Sequence, residues 1–407
     1  MSNHRRPVDD HEHAVVDLWR KGHLRSGTIQ IYLQWVRRFR AFCESRKLDE
    51  VEQLTREGVR RFVGCYAGPR LGRRISAPSS SGVAHNAVHA WSCTLRALGV
   101  ATPPWRVKSE APPLPPLLGE YRHFRKAHCG VSDSTLRRDT DTAGAFLALL
   151  RIRKRPIEQI RLKDVDVFVS KTATRFSTST VADSCSSLRA FLRFLHASGR
   201  LACDLAGGVM RPRFRLGQRP PRALPWDDVR RILRSIEKNR PPGKRDFAIM
   251  LLLAAYGLEA AEVLALRLED IDWRNSVIRA HRPKTKASIE LPLLPAVARA
   301  LTDYLRRERP PAKGTAYLFL RKNMPYEPMT SGAIRHRIRY WAKMAGIPAK
   351  VLGAHAFRHS HATRQVDAGA NIKIVSDILG HRSVSSTSVY VRVALKRLRG
   401  AALAVPR

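Results

Sequence analysis

The stretch His355-Ala356-Phe357-Arg358-His359, then Leu379-Gly380-His381, then Tyr390 nine residues later, decides how this chain reads. Two imidazoles, a guanidinium and a late phenol in that order suit one chemistry: holding a phosphodiester, moving protons around it and attacking it. An arginine neutralises the non-bridging oxygens as the pentacoordinate transition state forms, because its planar fork donates two parallel hydrogen bonds. His355 lies three residues before Arg358, so a helix there sets both toward one phosphate. A base accepts the phenol proton and an acid protonates the leaving 5′-oxygen. Tyr390 becomes a good nucleophile once a cation lowers its pKa or a base takes its proton. Each residue alone has a plainer reading, since a tyrosine usually packs and a helical histidine is usually a satisfied polar group. His355 and His359 also have the spacing of a zinc pair, yet no glutamate lies between the histidines and no partner ligand is evident, so no metal is expected.

Composition narrows the partner. Lys plus Arg number 74 against 34 Asp plus Glu, a formal net charge of +40, with a pI near 11.2. The basic residues are spread along the whole chain, and an excess this one-sided calls for a polyanion, which points to nucleic acid bound with strong salt dependence. Hydrophobic residues make up 44% of 407 residues, enough for two or three domain cores. The six cysteines form no C-x-x-C pair, as expected of reduced, buried thiols in a cytoplasmic protein. No apolar run reaches the roughly 18 residues of a membrane span, and the polar start MSNHRRPVDDHEH has no signal-peptide core.

Two proline-rich breaks, from Thr102 to Pro116 and from Arg211 to Pro225, divide the chain. The two segments before the second break read as copies. Val51-Glu52-Gln53-Leu54 matches Ile157-Glu158-Gln159-Ile160, and Val59, Phe62 and Val63 match Val165, Phe168 and Val169, at an offset of 106. Thr28 and Phe39 match Thr135 and Phe146 at 107, and Leu95-Arg96-Ala97 matches Leu188-Arg189-Ala190 at 93. The first copy therefore carries 13 extra residues, placed in the loop from Pro69 to Ser81. Each copy is predicted to be a small helical bundle. Ser132 or Ser134 caps a helix whose core face carries Ala143, Phe146 and Leu150. Asp183 to His196 forms another, with Leu188, Phe191, Leu192 and Leu195 inward and Arg189 and Arg193 on the other side, available to phosphates.

After Leu224 the pattern changes. Trp226 to Ile236, Arg245 to Tyr256 and Ala260 to Leu268 read as helices, with Asp227 and Asp228 in the first turn of the first. Ser276 to Ala280 and Ser288 to Leu293 read as strands flanking a basic hairpin, His281 to Lys286, in which Arg282, Lys284 and Lys286 are candidate DNA contacts or acids. Helices resume near Ala296, Ser331 and Ala356. The fold class is mostly α with a small antiparallel β-sheet.

At this point the chain resembles the tyrosine recombinases, or phage integrases. The residues that carry the likeness are Gly257-Leu258-x-x-x-Glu262-x-Leu264-x-Leu266, Asp270-Ile271-Asp272, the basic hairpin, His355-x-x-Arg358-His359, Leu379-Gly380-His381 and Tyr390. The resemblance implies an α+β catalytic domain over 224–407, a linker over 207–223, a core-binding helical domain over 113–206 and a degenerate copy of it over 1–105. It implies a C-shaped clamp around double-stranded DNA and a homo- or hetero-tetramer on two sites. Tyr390 would form a 3′-phosphotyrosyl link and release a 5′-hydroxyl, with no cofactor. Lys284 matches the family's hairpin lysine, His355 its acid/base histidine, Arg358 its second arginine and His381 its third-box histidine. Val391 to Val405 is a candidate helix for docking on a neighbouring subunit.

One position departs from the family. Its first catalytic arginine follows Gly-Leu, where this chain has Glu259. At about 5 Å and an effective dielectric near 20, one charge pair is worth roughly 3 kcal/mol. Losing attraction and adding repulsion then raises the barrier by roughly 6 kcal/mol, on the order of 10⁴-fold in rate. Three readings follow: an engineered inactive form that holds DNA uncut, a naturally weak or architectural subunit beside active partners, or another cation, such as Arg267 or Arg282, in the arginine's place. A type IB topoisomerase shares the chemistry but would relax supercoils as a monomer without duplicated binding domains.

Overall fold

The computed structural model describes residues 11–66, 77–106, 113–212, 223–283, 287–312, 315–324, 326–348 and 353–380. Lys284, Lys286, His381, Tyr390 and the expected helix from Val391 lie outside the described residues, as does most of the expected loop around Pro69. Two compact units divide the chain: Met1–Val107 together with Pro220–Arg407, and Lys108–Arg219. Among the described residues no helix is long and apolar enough to cross a membrane.

The first four helices are α1 (Glu12–Lys21), α2 (Ser26–Ser45), α3 (Arg56–Tyr66) and α4 (Ala77–Ala97). The next four are α5 (Pro116–Ala127), α6 (Asp133–Ile152), α7 (Leu162–Arg175) and α8 (Thr178–Ala197). The two sets run in one order with near-equal lengths, 10, 20, 11 and 21 residues against 12, 20, 14 and 20. The residues matched in sequence do the same work in each. Phe39 meets Phe62 edge-on at 5.4 Å in one core, and Phe146 meets Phe168 edge-on at 5.4 Å in the other. Leu54, Val59 and Leu95 are buried, and so are Ile160, Val165 and Leu188. Ser132 caps α6 by accepting the Thr135 N–H at 3.3 Å, and Ser177 caps α8 through Thr180 at 3.4 Å.

The C-terminal part starts with α9 (Trp226–Ser235), α10 (Gly243–Tyr256) and α11 (Ala260–Ala265). Ten of the fourteen residues of α10 are buried, and its N-terminus is held by Glu308, which accepts the N–H groups of Lys244 and Arg245 at 2.9 and 3.1 Å. The helix expected from Ala260 to Leu268 stops at Ala265. Leu266 turns extended, its carbonyl accepts from Leu318, and Leu268 donates to Ala316, while Arg267 N–H bonds Asp270 Oδ2 at 2.8 Å to begin a separate 3₁₀ turn. Asp270 leads into a strand that periodicity had not separated. The sheet therefore has three antiparallel strands, β1 (Ile271–Asp272), β2 (Val277–Arg282) and β3 (Ala287–Pro292), in that order. Ile278 pairs with Leu291 and Arg282 with Ala287. The remaining helices are α12 (Pro295–Arg307), α13 (Ser331–Met344), α14 (Ala354–Asp367) and α15 (Ile372–Leu379). Buried Asp246 ties α10 to α13 by accepting from Arg245, Arg337 and the Trp341 indole.

Within the larger unit the first bundle packs on the segment that follows α12. Cys93 of α4 is buried with Leu320, Met324 and Tyr326. Gly22, at the end of α1, leaves room for the Tyr326 ring, since an added Cβ would sit 1.8 Å from its hydroxyl oxygen.

If the two ring pairs carry equivalent cores, Phe62→Ala and Phe168→Ala each cost about 3–5 kcal/mol. Urea unfolding of the full chain measures this, and a loss below about 1 kcal/mol in either variant would break the equivalence.

Candidate active site

The described part of the site is built around one carboxylate. Glu262 sits at the third position of α11 and is 5% exposed. Its Oε2 accepts the Glu259 N–H at 2.8 Å and lies 3.7 Å from Arg358 Nη1. Its Oε1 lies 3.5 Å from Arg282 Nε. Two guanidiniums thus approach opposite oxygens of a single buried anion.

Each arginine arrives there for a local reason. Arg358 follows Phe357 on the buried side of α14 and is itself only 5% exposed. Its Nη1 donates to the Gly257 carbonyl at 2.9 Å and its Nη2 to the Leu379 carbonyl. Arg282 ends β2, where strand alternation puts it on the same face as buried Ile278 and Ala280. Its fork donates to the carbonyls of Asp377 and Ile378, while the buried Nε makes no hydrogen bond. The two arginines therefore hold three successive carbonyls at the C-terminus of α15, where cations are favoured by the helix dipole. Gly380 closes α15 at φ +65° and leaves room for Arg282, because an added Cβ would stand 2.3 Å from Nη1. His381 is the next residue in sequence.

Glu259 is half-buried at the N-cap of α11 (φ −75°, ψ 155°) and forms a capping box with Glu262. A carboxylate at a helix start suits the partial positive charge there. Two residues earlier Gly257 adopts φ +64° and lets His361 approach; an added Cβ would meet the ring at 2.8 Å. His361 is buried against the Ala254 carbonyl at 3.1 Å, and burial pushes its pKa below the ordinary imidazole value. His355 is exposed in the first turn of α14, its ring centroid 6.3 Å from that of His359. Thus His355 and Arg358 share a helix but differ in depth.

Other expected cations are placed elsewhere. Arg267 lies over the Tyr317 ring at 5.6 Å and 3.4 Å from Glu269. Arg189, expected to face phosphate, is half-buried and donates to the Val209 carbonyl at 2.6 Å, fastening the chain that leaves α8. Arg96, its counterpart in the first copy, does the same with the Pro103 carbonyl at 2.6 Å. Arg193 is exposed on α8. Glu262 was part of the sequence motif but its bridging role was not read there. The Glu259-x-x-Glu262 spacing was the available signal, since a capping box sets the second carboxylate under the helix start.

Residues 222–397 match the model of the phage integrase family, and residues 118–199 match the phage integrase N-terminal SAM-like domain. A putative integrase/recombinase, y4rF, of Sinorhizobium fredii is 37% identical over 306 residues, 73% of this chain and 71% of that protein. The tyrosine recombinase XerD of Listeria monocytogenes is 28% identical over 70% of this chain and 96% of its own. The crystal structure of the XerH site-specific recombinase, bound to a palindromic difH substrate after cleavage, shares the fold with a TM-score of 0.55 at 16% identity, over 70% of this chain and 94% of that one.

Removing the central carboxylate leaves two guanidiniums without their shared partner. Glu262→Ala is expected to lower stability by about 3–5 kcal/mol. Glu259→Ala, which loses only a cap, is expected to lower it by about 1 kcal/mol. Equal losses on denaturant titration would show that Glu262 is no more than a cap.

Proposed function

The chain belongs to the phage integrase family of tyrosine recombinases, whose members carry out site-specific DNA recombination, and from that premise we propose that it cuts and rejoins double-stranded DNA through Tyr390. The observation that carries this reading is the convergence of Arg358 and Arg282 on Glu262 beside the segment that leads into His381. Two fixed cations suit a dianionic, pentacoordinate phosphorus.

In the proposed reaction the Tyr390 oxygen forms a bond to the scissile phosphorus as its proton passes to a base. The bond to the 5′-oxygen breaks, and that oxygen takes a proton from an acid, for which Lys284 and His355 are the proposed donors. Arg358 and His381 bind the non-bridging oxygens. Attack by a partner strand's 5′-hydroxyl then reverses each step and frees the tyrosine. The phosphoester bond is exchanged rather than hydrolysed, so the cycle consumes no external energy source. The proposed assembly is a tetramer on two DNA sites, acting in the cytoplasm. Arg193 and Lys286 are proposed phosphate contacts, and Arg189 acts through the latch to Val209.

Glu259 is the proposed handicap. It replaces a positive charge with a negative one, and its capping of α11 fits a position that has passed from catalysis to structure. A second reading has an observation of its own. Arg282 already reaches the Glu262–Arg358 pair, so it can supply the second guanidinium. A non-cleaving architectural subunit remains the outcome if no adduct forms at all.

Glu259→Arg is expected to raise cleavage of a suicide substrate by about 10²- to 10⁴-fold. An unchanged rate, together with loss of cleavage in Arg282→Gln, assigns the cation to Arg282 instead. Tyr390→Phe is expected to abolish the covalent protein–DNA adduct on denaturing gels while duplex binding persists; an adduct that survives removes Tyr390 as the nucleophile.

A further inference from the structure

A second feature lies away from the carboxylate centre, in the same compact unit. A groove of about 840 Å³ runs between α3, α4, the chain after α4 and Arg321. Its walls are cationic. Arg56 and Arg60 come from α3, Arg106 follows α4, and Arg321 comes from the segment after α12. Aromatic rings line it as well, set at angles to one another. Trp105 lies 4.4 Å from the His89 ring at a 40° tilt and 6.0 Å edge-on from His85. The Trp105 carbonyl accepts the Arg56 N–H at 2.8 Å, which fixes the indole's backbone against α3.

We propose that this groove binds an unpaired nucleic-acid strand, with phosphates on the arginines and a base stacked on Trp105. Duplex DNA offers phosphates but keeps its base faces inside the stack, so an aromatic lining gains nothing from it. An open strand offers both, and stacking platforms beside cationic walls are the general means of holding one. The histidines add to the aromatic lining rather than to the charge. Burial, with Arg56 and Arg60 beside His85 and Arg321 beside His89, lowers both pKa values, which favours the uncharged rings.

Two carboxylates border the groove. Glu57 lies 3.4 Å from Arg60, and Glu327 lies 2.7 Å from Arg321. Both pairs are exposed, where an ion pair is worth little, so the arginines can exchange these partners for phosphate. The proposal is independent of whether the chain cleaves DNA, because no residue of the carboxylate centre lines the groove.

The test compares binding of a short oligothymidylate, about eight nucleotides long, with binding of a duplex, using the full chain and fluorescence anisotropy. Trp105→Ala is expected to weaken the oligothymidylate by about tenfold and leave the duplex unchanged, with Trp105→Phe restoring most of the loss. Arg106→Gln with Arg321→Gln, both exposed and safe for folding, is expected to weaken the oligothymidylate and flatten its salt dependence. Unchanged oligothymidylate binding in the arginine double variant overturns the site. An equal loss for both DNA forms in Trp105→Ala that Trp105→Phe does not restore overturns the stacked base.

Discussion

The buried carboxylate of Glu262 is the constraint on which the C-terminal half depends. It stands between Arg358 and Arg282 and also accepts the N–H that starts α11. Through it α11, α14 and β2 share one centre, and through the arginines' carbonyl contacts α15 joins them. A buried ion pair is poor as a source of net stability because both charges lose water. Its value here is positional. The guanidinium orientations are over-determined by carbonyls from Gly257 and from residues 377–379, so the two side chains keep little freedom in the folded chain.

The helical half is organised by repetition. The Phe39–Phe62 and Phe146–Phe168 pairs show that the offset in sequence is also an offset in packing. The arginine shared by the two copies, Arg96 and Arg189, fastens the chain leaving the last helix in each. That latch explains why an arginine stands at the matched position beside otherwise apolar matches. The copies have meanwhile diverged at their surfaces, where the first carries the groove lined by Trp105.

Much of this was legible in the residues themselves. Helix existence followed from apolar spacing, the cap at Ser132 from its side chain, and the duplication from three matched blocks in one order. Several features were not read. The end of α11 depends on pairing with residues 316–318, some fifty positions away, which local periodicity does not contain. Arg189 looked like a solvent-facing cation, yet a long flexible side chain on a helix flank can turn back to the backbone. His355 and Arg358 looked equivalent by spacing, yet one lies in the exposed first turn and the other faces the core. Arg282 could have been placed from the alternation of Ile278 and Ala280, which points it inward. Its partners at α15 leave no local trace, because carbonyls look alike in any sequence.

The two guanidiniums at Glu262 have a consequence for how this site responds to acid and alkali. Arginine keeps its proton throughout the range in which proteins stay folded. The cationic frame is therefore a constant, a fixed electrostatic background against which other groups change. An inflection in a pH profile measured on this chain is then to be assigned among carboxylate, imidazole, ammonium and phenol groups, and the two forked cations drop out of its interpretation.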